Sequence, residues 1–169
     1  MKQTSGHLVQ VVIETIKGSR EKYAYDQESG FFKLKKILPA GMVFPYDFGF
    51  IPGTKGADGD PLDILVLSEL YSFPGCLMPC RLLGAFKAKQ GKKKGKMVRN
   101  DRYLAVPVAS MAYNDIAAVN LLPKEMIRAL EDFFIRYNQE EGKRFEPSGY
   151  IDAGQAMAQI KASAALVQQ

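Results

Sequence analysis

Residues 58–67, Asp58-Gly59-Asp60-Pro61-Leu62-Asp63-Ile64-Leu65-Val66-Leu67, join an acidic turn to an apolar run of strand length. Gly59 and Pro61 favour a tight turn between the aspartates. Carboxylate oxygens are the ligands that hard divalent cations such as Mg²⁺ prefer. Because Asp63 opens the strand, it is held on a rigid element. The pattern alone fits a divalent cation site and a solvated acidic turn equally well.

A calcium-binding loop is a further interpretation of the same stretch, because Glu69 stands at the twelfth position counted from Asp58. Such a loop requires glycine at its sixth position, where this chain has Asp63. Apolar strand residues fill most of the remaining positions. The sequence therefore excludes this type of calcium site.

Working outward from the acidic turn, short strands precede two helices. The predicted strands cover residues 8–16, 22–25, 31–38, 42–51, 62–67, 82–86 and 103–108. Pro45 and Gly49 predict that residues 42–51 form an irregular edge strand. A first helix is predicted to begin at Pro123, and Asp152 is predicted to cap a second. Strands followed by helices indicate one α+β domain, residues 1–169, built on a small barrel.

The composition is that of a globular protein, with 169 residues, 47% of them hydrophobic and 24% charged. No apolar run approaches the roughly 20 residues of a transmembrane helix. No signal-type segment opens the chain, so we expect a cytoplasmic protein without a membrane partner. Cys76 and Cys80 with the single His7 do not supply the ligands of a zinc site. With a single histidine and no Ser or Cys in a nucleophile setting, a catalytic triad that depends on histidine is also excluded.

Positive charge is concentrated in one segment, residues 87–102, which we call the basic segment. It contains eight basic residues and one acid, Asp101, whereas the whole chain carries a net charge of +5. The rest of the chain is therefore slightly acidic, and anions are expected to meet the protein here. No aromatic residue lies among the lysines, so a solvated loop or a substrate lid is favoured over a nucleic-acid surface.

Several further motifs occur in a fixed order along the chain. They are Val-Val-Ile-Glu at 11–14, Lys-Tyr at 22–23, Glu-Ser-Gly at 28–30, Phe-Pro-Tyr-Asp-Phe-Gly-Phe-Ile at 44–51, Ala-Val-Pro at 105–107, Tyr113, Val-Asn at 119–120, and Phe-Phe at 133–134 with Tyr137. With the acidic turn, this series resembles the family I soluble inorganic pyrophosphatases. The resemblance runs from about Val11 to the last helix.

The resemblance implies an OB-type five-stranded barrel with two flanking C-terminal helices. It implies Mg²⁺-dependent hydrolysis of pyrophosphate, with Asp60 as the general base, and a homo-oligomer. The implied metal ligands are Asp58, Asp60, Asp63 and Glu14. The implied substrate-binding residues are Lys22, Lys36, Arg102 and Tyr137.

Simple chemistry supports these roles independently. Pyrophosphate is a compact polyanion, so attack on it requires cations that neutralise the phosphoryl oxygens. Glu14 interrupts an apolar run and needs a partner if it faces inward. Taken singly, Lys22 and Lys36 also fit solvated lysines, and Tyr137 fits a core residue.

The sequence departs from the family at several expected site positions. Ala24 replaces an acid, Phe48 a tyrosine, Asn100 a metal-binding aspartate and Asn138 a phosphate-binding lysine, and a second aspartate is expected to be lost within the basic segment. Three functions therefore remain open. They are an active diphosphatase, a divergent enzyme acting on another phosphoanhydride or phosphate ester, and a non-catalytic module that binds a polyanion.

Overall fold

The computed structural model describes residues 6–167, which form nine strands, two α-helices and one 3₁₀ turn. The strands are β1 (Leu8–Thr15), β2 (Glu21–Asp26), β3 (Phe31–Ile37), β4 (Asp47–Ile51), β5 (Leu62–Val66), β6 (Leu77–Lys92), β7 (Val98–Arg99), β8 (Arg102–Pro107) and β9 (Lys143–Asp152). The helices are α1 (Lys124–Gln139) and α2 (Ala153–Val167), and a 3₁₀ turn covers Val119–Leu121.

Five of the strands close into a ring in the order β1, β4, β5, β8, β6 and back to β1. All neighbours are antiparallel except β5 and β8, which run parallel. Closure removes the exposed strand edges that an open sheet would leave. The predicted α+β fold with a five-stranded OB-type barrel is confirmed.

Strand β6 is much longer than the predicted strand over residues 82–86. Beyond the ring it pairs with β7 on one side and β9 on the other. Strand β9 was not among the predicted strands, because Pro147 and Gly149 interrupt the strand pattern there. Strands β2 and β3 form a separate two-stranded hairpin.

The prediction of an edge strand over residues 42–51 is wrong. Only Asp47–Ile51 are strand, all five are buried, and they lie between β1 and β5. A Cβ added at Gly49 would stand 2.1 Å from the carbonyl oxygen of Val12. Glycine is required here because two backbones approach closely inside the barrel wall.

Both helices cover the barrel. Helix α1 follows Pro123 and buries Leu130, Phe134 and other apolar residues against one core cluster. Helix α2 buries Ala156 and Ile160 against a second cluster formed with β1, β5, β6 and β8. The backbone N–H of Gln155 donates to the Asp152 carboxylate at 2.8 Å, so the predicted cap is confirmed.

Two further sequence predictions concern membrane-spanning segments and the cysteines. No helix among residues 6–167 combines the length and the apolar character needed to cross a bilayer. Cys76 is half-buried and Cys80 is fully buried, and both thiols are free. Burial raises the pKa of the Cys80 thiol to about 12, as expected of a small core residue.

Candidate active site

A cleft of about 190 Å³ opens where the barrel meets the C-terminal end of α1 and the first residue of β9. Its floor is aromatic, and its walls carry both signs of charge. The aromatic residues are Phe44, Phe48 and Phe134. The polar residues are Lys22, Asp58, Asp60, Asp63, Gln90, Asn100, Arg102, Tyr137, Glu141 and Lys143.

The three aspartates of the acidic turn all line this cleft. The backbone N–H of Asp60 donates to the Asp58 carboxylate at 3.1 Å, and Gly59 takes a positive φ of 90° that closes the turn. Asp63 lies on β5, opposite Phe50 of β4. Within residues 6–167, however, no three acidic, histidine or cysteine side chains group closely enough to form a metal site.

Arg102 is the buried cation of the cleft, with only 3% of its surface exposed. Its Nη1 donates to Asp63 Oδ2 at 2.7 Å, and its Nη2 donates to Gln90 Oε1 at 3.0 Å. The guanidinium carbon lies 4.9 Å and 5.3 Å from the ring centroids of Phe134 and Phe145. The ion pair and the ring faces together make burial of this charge tolerable.

Two carboxamides face the aspartates. Asn100 Nδ2 lies 3.3 Å from both Asp58 Oδ2 and Gln90 Oε1, and Arg102 also donates to Asn100 Oδ1. Gln90, also in the basic segment, therefore lines the cleft as a neutral amide next to Asn100. Asp101 does not compensate, because it is buried away from the cleft and accepts from Ala88 and Arg99.

Of the predicted substrate-binding residues, Lys22, Arg102 and Tyr137 line the cleft. The Tyr137 hydroxyl is buried and has no partner within residues 6–167. Burial raises its pKa to about 12, so it remains a proton donor at neutral pH. Lys36 lies behind the cleft wall, paired with Glu141 at 2.8 Å and 3.6 Å above the Tyr137 ring.

Glu14 does not line the cleft itself. It lies in an adjoining groove of about 800 Å³ that also contains Ala24 and shares Lys22, Asp60 and Asp63 with the cleft. Burial raises the pKa of Glu14 to about 7; Lys22 opposes the shift, and Asp63 and Asp60 add to it. The position of Glu14 beside the aspartates is thus consistent with its predicted role.

Asn138, where the family resemblance implies a lysine, does not line the cleft. Asn138 is fully buried, and its Nδ2 donates to the Phe134 carbonyl at 2.8 Å, one helical turn back. Lys143, the first residue of β9, lines the cleft instead and lies 3.5 Å from Glu141. Lys143 was not predicted as a site residue because β9 was not predicted. Its place as a basic residue just after the end of a predicted helix was the signal in the sequence that could have indicated it.

Fold and site together define an OB-type barrel protein whose cleft presents both carboxylates and fixed cations. Comparison with protein families gives a match to inorganic pyrophosphatase over residues 11–168. The chain belongs to the inorganic pyrophosphatase family. The inorganic pyrophosphatase of Halalkalibacterium halodurans is 36% identical over 146 residues, which cover 86% of each chain.

Solved structures agree with this assignment. The chain is similar to the inorganic pyrophosphatase of Thermus thermophilus, with a TM-score of 0.86 and 29% identity over 99% of this chain and 95% of that one. It is also similar to the inorganic pyrophosphatase of Coxiella burnetii, with a TM-score of 0.84 and 34% identity over 97% and 99% of the two chains. The predicted family resemblance is confirmed.

Proposed function

We propose that this chain hydrolyses inorganic pyrophosphate to two phosphates and requires Mg²⁺. The observation that carries the proposal is one cleft, in a member of this family, that combines three aspartates with Lys22, Arg102, Lys143 and the Tyr137 hydroxyl. Carboxylates bind hard cations, and fixed cations bind phosphoryl oxygens.

Asp58, Asp60 and Asp63 are not grouped closely enough in this structure to form a finished metal site, but they line one cleft with the carboxylate oxygens that a divalent cation prefers. Partial desolvation raises the pKa of the Asp58 carboxyl, the Asp60 backbone N–H opposes this shift, and the charges of Asp63 and Asp60 raise it further. Like charges gathered in this way are stabilised by a bound cation. Asp58, Asp60 and Asp63, with Glu14 beside them, are the residues that would hold Mg²⁺. When bound, it would neutralise phosphoryl oxygens and make water more acidic.

Phosphate binding and proton transfer are assigned to the chain's own residues. Lys22, Arg102 and Tyr137 hold the phosphate oxygens as donors, and Lys36 supports Tyr137 from behind. Asp60 accepts the proton of the attacking water, because its carboxylate lines the cleft and accepts no hydrogen bond within residues 6–167. The Asp58 carboxylate, by contrast, accepts from the Asp60 N–H, and the Asp63 carboxylate accepts from Arg102. The water oxygen bonds to one phosphorus atom, and the bridging oxygen leaves with the other phosphate.

A divergent activity is the second candidate. Gln90 and Asn100 place neutral amides where further carboxylates would strengthen cation binding. Weak or altered activity on another phosphoanhydride or phosphate ester follows if fewer cations bind. The third candidate, a non-catalytic polyanion-binding module, requires no hydrolysis at all.

The chain is further proposed to act as one domain, residues 1–169, in the cytoplasm and as a homo-oligomer. Strand β6 contributes to both core clusters, which supports a single cooperative unit. Exposed apolar side chains, among them Phe31, Tyr71 and Phe73, offer contacts for a second copy. Light scattering after gel filtration measures the assembly directly.

Phosphate release from pyrophosphate, measured with and without Mg²⁺, tests the activity. Asp60→Asn should lower turnover by about 10²- to 10⁴-fold at saturating Mg²⁺. Asp63→Asn should instead weaken Mg²⁺ dependence first, with turnover partly restored by excess metal. The exposed Asp132→Asn on α1 is the matched control and should behave as wild type. No release at any Mg²⁺ concentration would contradict the proposal.

A further inference from the structure

The basic segment continues the cleft along strand β6. Lys92 of β6 pairs in register with Lys143 of β9, and Gln90 pairs with Phe145. Directly opposed residues of antiparallel strands point to the same face of the sheet, and so do residues two apart on one strand. Lys92 therefore projects on the face where Gln90 and Lys143 line the cleft.

Beyond Lys92 the chain turns tightly and presents more lysines. The N–H of Gly95 donates to the Lys92 carbonyl at 3.0 Å, so Lys93 and Lys94 stand at the corner of the turn. A Cβ on Gly91 would lie 2.4 Å from the Lys96 carbonyl oxygen, which shows how closely the two arms of the hairpin pack. The lysines are thus carried on an ordered hairpin next to the cleft.

These charges are not neutralised by the protein. In the chain from residue 6 to 167, none of the six lysines of the basic segment forms a salt bridge, whereas Arg99 and Arg102 pair with Asp101 and Asp63. A row of unpaired lysines, here Lys92, Lys93 and Lys94, raises the local concentration of anions and favours an anion that is itself extended. Lysines also protect strand edges against aggregation, but that role does not require a row that begins beside the cleft residue Lys143.

We propose that the chain binds linear condensed phosphates longer than pyrophosphate. The terminal phosphates lie in the cleft on Lys22, Arg102 and Lys143, and the following ones on Lys92 and the turn lysines Lys93 and Lys94. The first half of this placement rests on the proposed function, because it uses the same cleft. A nucleic acid fits less well, because the hairpin offers no exposed aromatic side chain for base stacking, Tyr103 being buried.

The test compares two variants of equal charge change. Lys92→Gln/Lys93→Gln/Lys94→Gln removes the row, and Lys124→Gln/Arg128→Gln/Lys161→Gln removes three exposed cations from the helices. Long-chain polyphosphate is titrated into each protein in a calorimeter at low ionic strength. The first variant should bind at least about tenfold more weakly than wild type, with a smaller salt dependence, and the second should bind nearly as wild type.

Pyrophosphate provides the second arm of the experiment. Saturating pyrophosphate should weaken tripolyphosphate binding by competing for the cleft, whereas kcat for pyrophosphate should be unchanged in the hairpin variant. Equal losses in both variants, or no loss in the hairpin variant, would overturn the proposal. Single-stranded RNA bound as tightly as polyphosphate and insensitive to pyrophosphate would also overturn it. Because polyphosphate affinity is measured directly, an absence of pyrophosphate hydrolysis would refute the proposed function separately.

Discussion

Arg102 Nη1 donates to Asp63 Oδ2 at 2.7 Å, so the aspartate at the second position of β5 is already paired with a buried guanidinium. The same guanidinium contacts the carboxamides of Gln90 and Asn100. Cation-binding carboxylates and phosphate-binding cations therefore meet within one hydrogen-bonded network. The balance between them sets how strongly this cleft holds a divalent cation.

Placing carboxylates at the two amide positions of the cleft, Gln90 and Asn100, should strengthen cation binding. We expect Gln90→Glu/Asn100→Asp to bind Mn²⁺ at least about tenfold more tightly, because a carboxylate is a stronger ligand than an amide oxygen. Calorimetric titration gives affinity and stoichiometry without relying on turnover. Gln10→Glu/Asn114→Asp, at exposed positions, adds the same charge away from the cleft and should change neither.

The buried Glu14 carboxyl should make stability depend on pH in metal-free protein. The pKa of this carboxyl in the folded state is about 7, above its ordinary value of 4.5, so the folded state holds the extra proton between these values. Its contribution is complete below pH 4.5 and is lost as pH rises through 7, at a cost on the order of 2 kcal/mol. Urea denaturation with a chelator at pH 5 and pH 8 measures the difference. In Glu14→Gln this part of the stability difference between pH 5 and pH 8 should disappear. An unchanged difference would contradict the attribution to Glu14.

Asn138 should be a site where an apolar residue is tolerated. Its Oδ1 is buried and finds no partner within residues 6–167. Asn138→Leu removes this acceptor and should leave unfolding free energy unchanged or raised by about 1 kcal/mol. Asn138→Asp buries a charge and should lower it by about 3 kcal/mol at pH 7, less at pH 4. Chemical denaturation distinguishes the two; a large loss in the leucine variant would show that the side-chain bond to Phe134 dominates.

Gly49 should be nearly irreplaceable, in contrast to Gly30. Gly49→Ala places a methyl group against the Val12 carbonyl and should destabilise the protein by about 3 kcal/mol or more. Gly30 has a φ of +73° but open space around it, so Gly30→Ala should cost only about 1 kcal/mol. Thermal unfolding of both variants compares steric with conformational cost. Equal losses would indicate that the barrel wall yields at Gly49.

Local sequence patterns determined much of this protein. The alternation in residues 8–16 predicted β1, the apolar run after the acidic turn predicted β5, and the periodicity after Pro123 predicted α1. The Asp58–Asp60 contact is likewise a property of the turn, since it joins residues two apart. Side-chain period and turn chemistry act over a few residues, so they can be recognised without the fold.

Tertiary structure alone decided which side chains complete the cleft. Gln90 faces Asn100 because of the register of β6, Lys143 enters because β9 pairs with that strand, and Lys36 is held behind Tyr137 by Glu141. Each of these placements depends on strand pairings between distant segments, and a shift of one residue would turn every side chain to the other face. Such registers are set by the whole core, which is why the sequence located the acidic half of the site and the structure located its amides and its additional lysine.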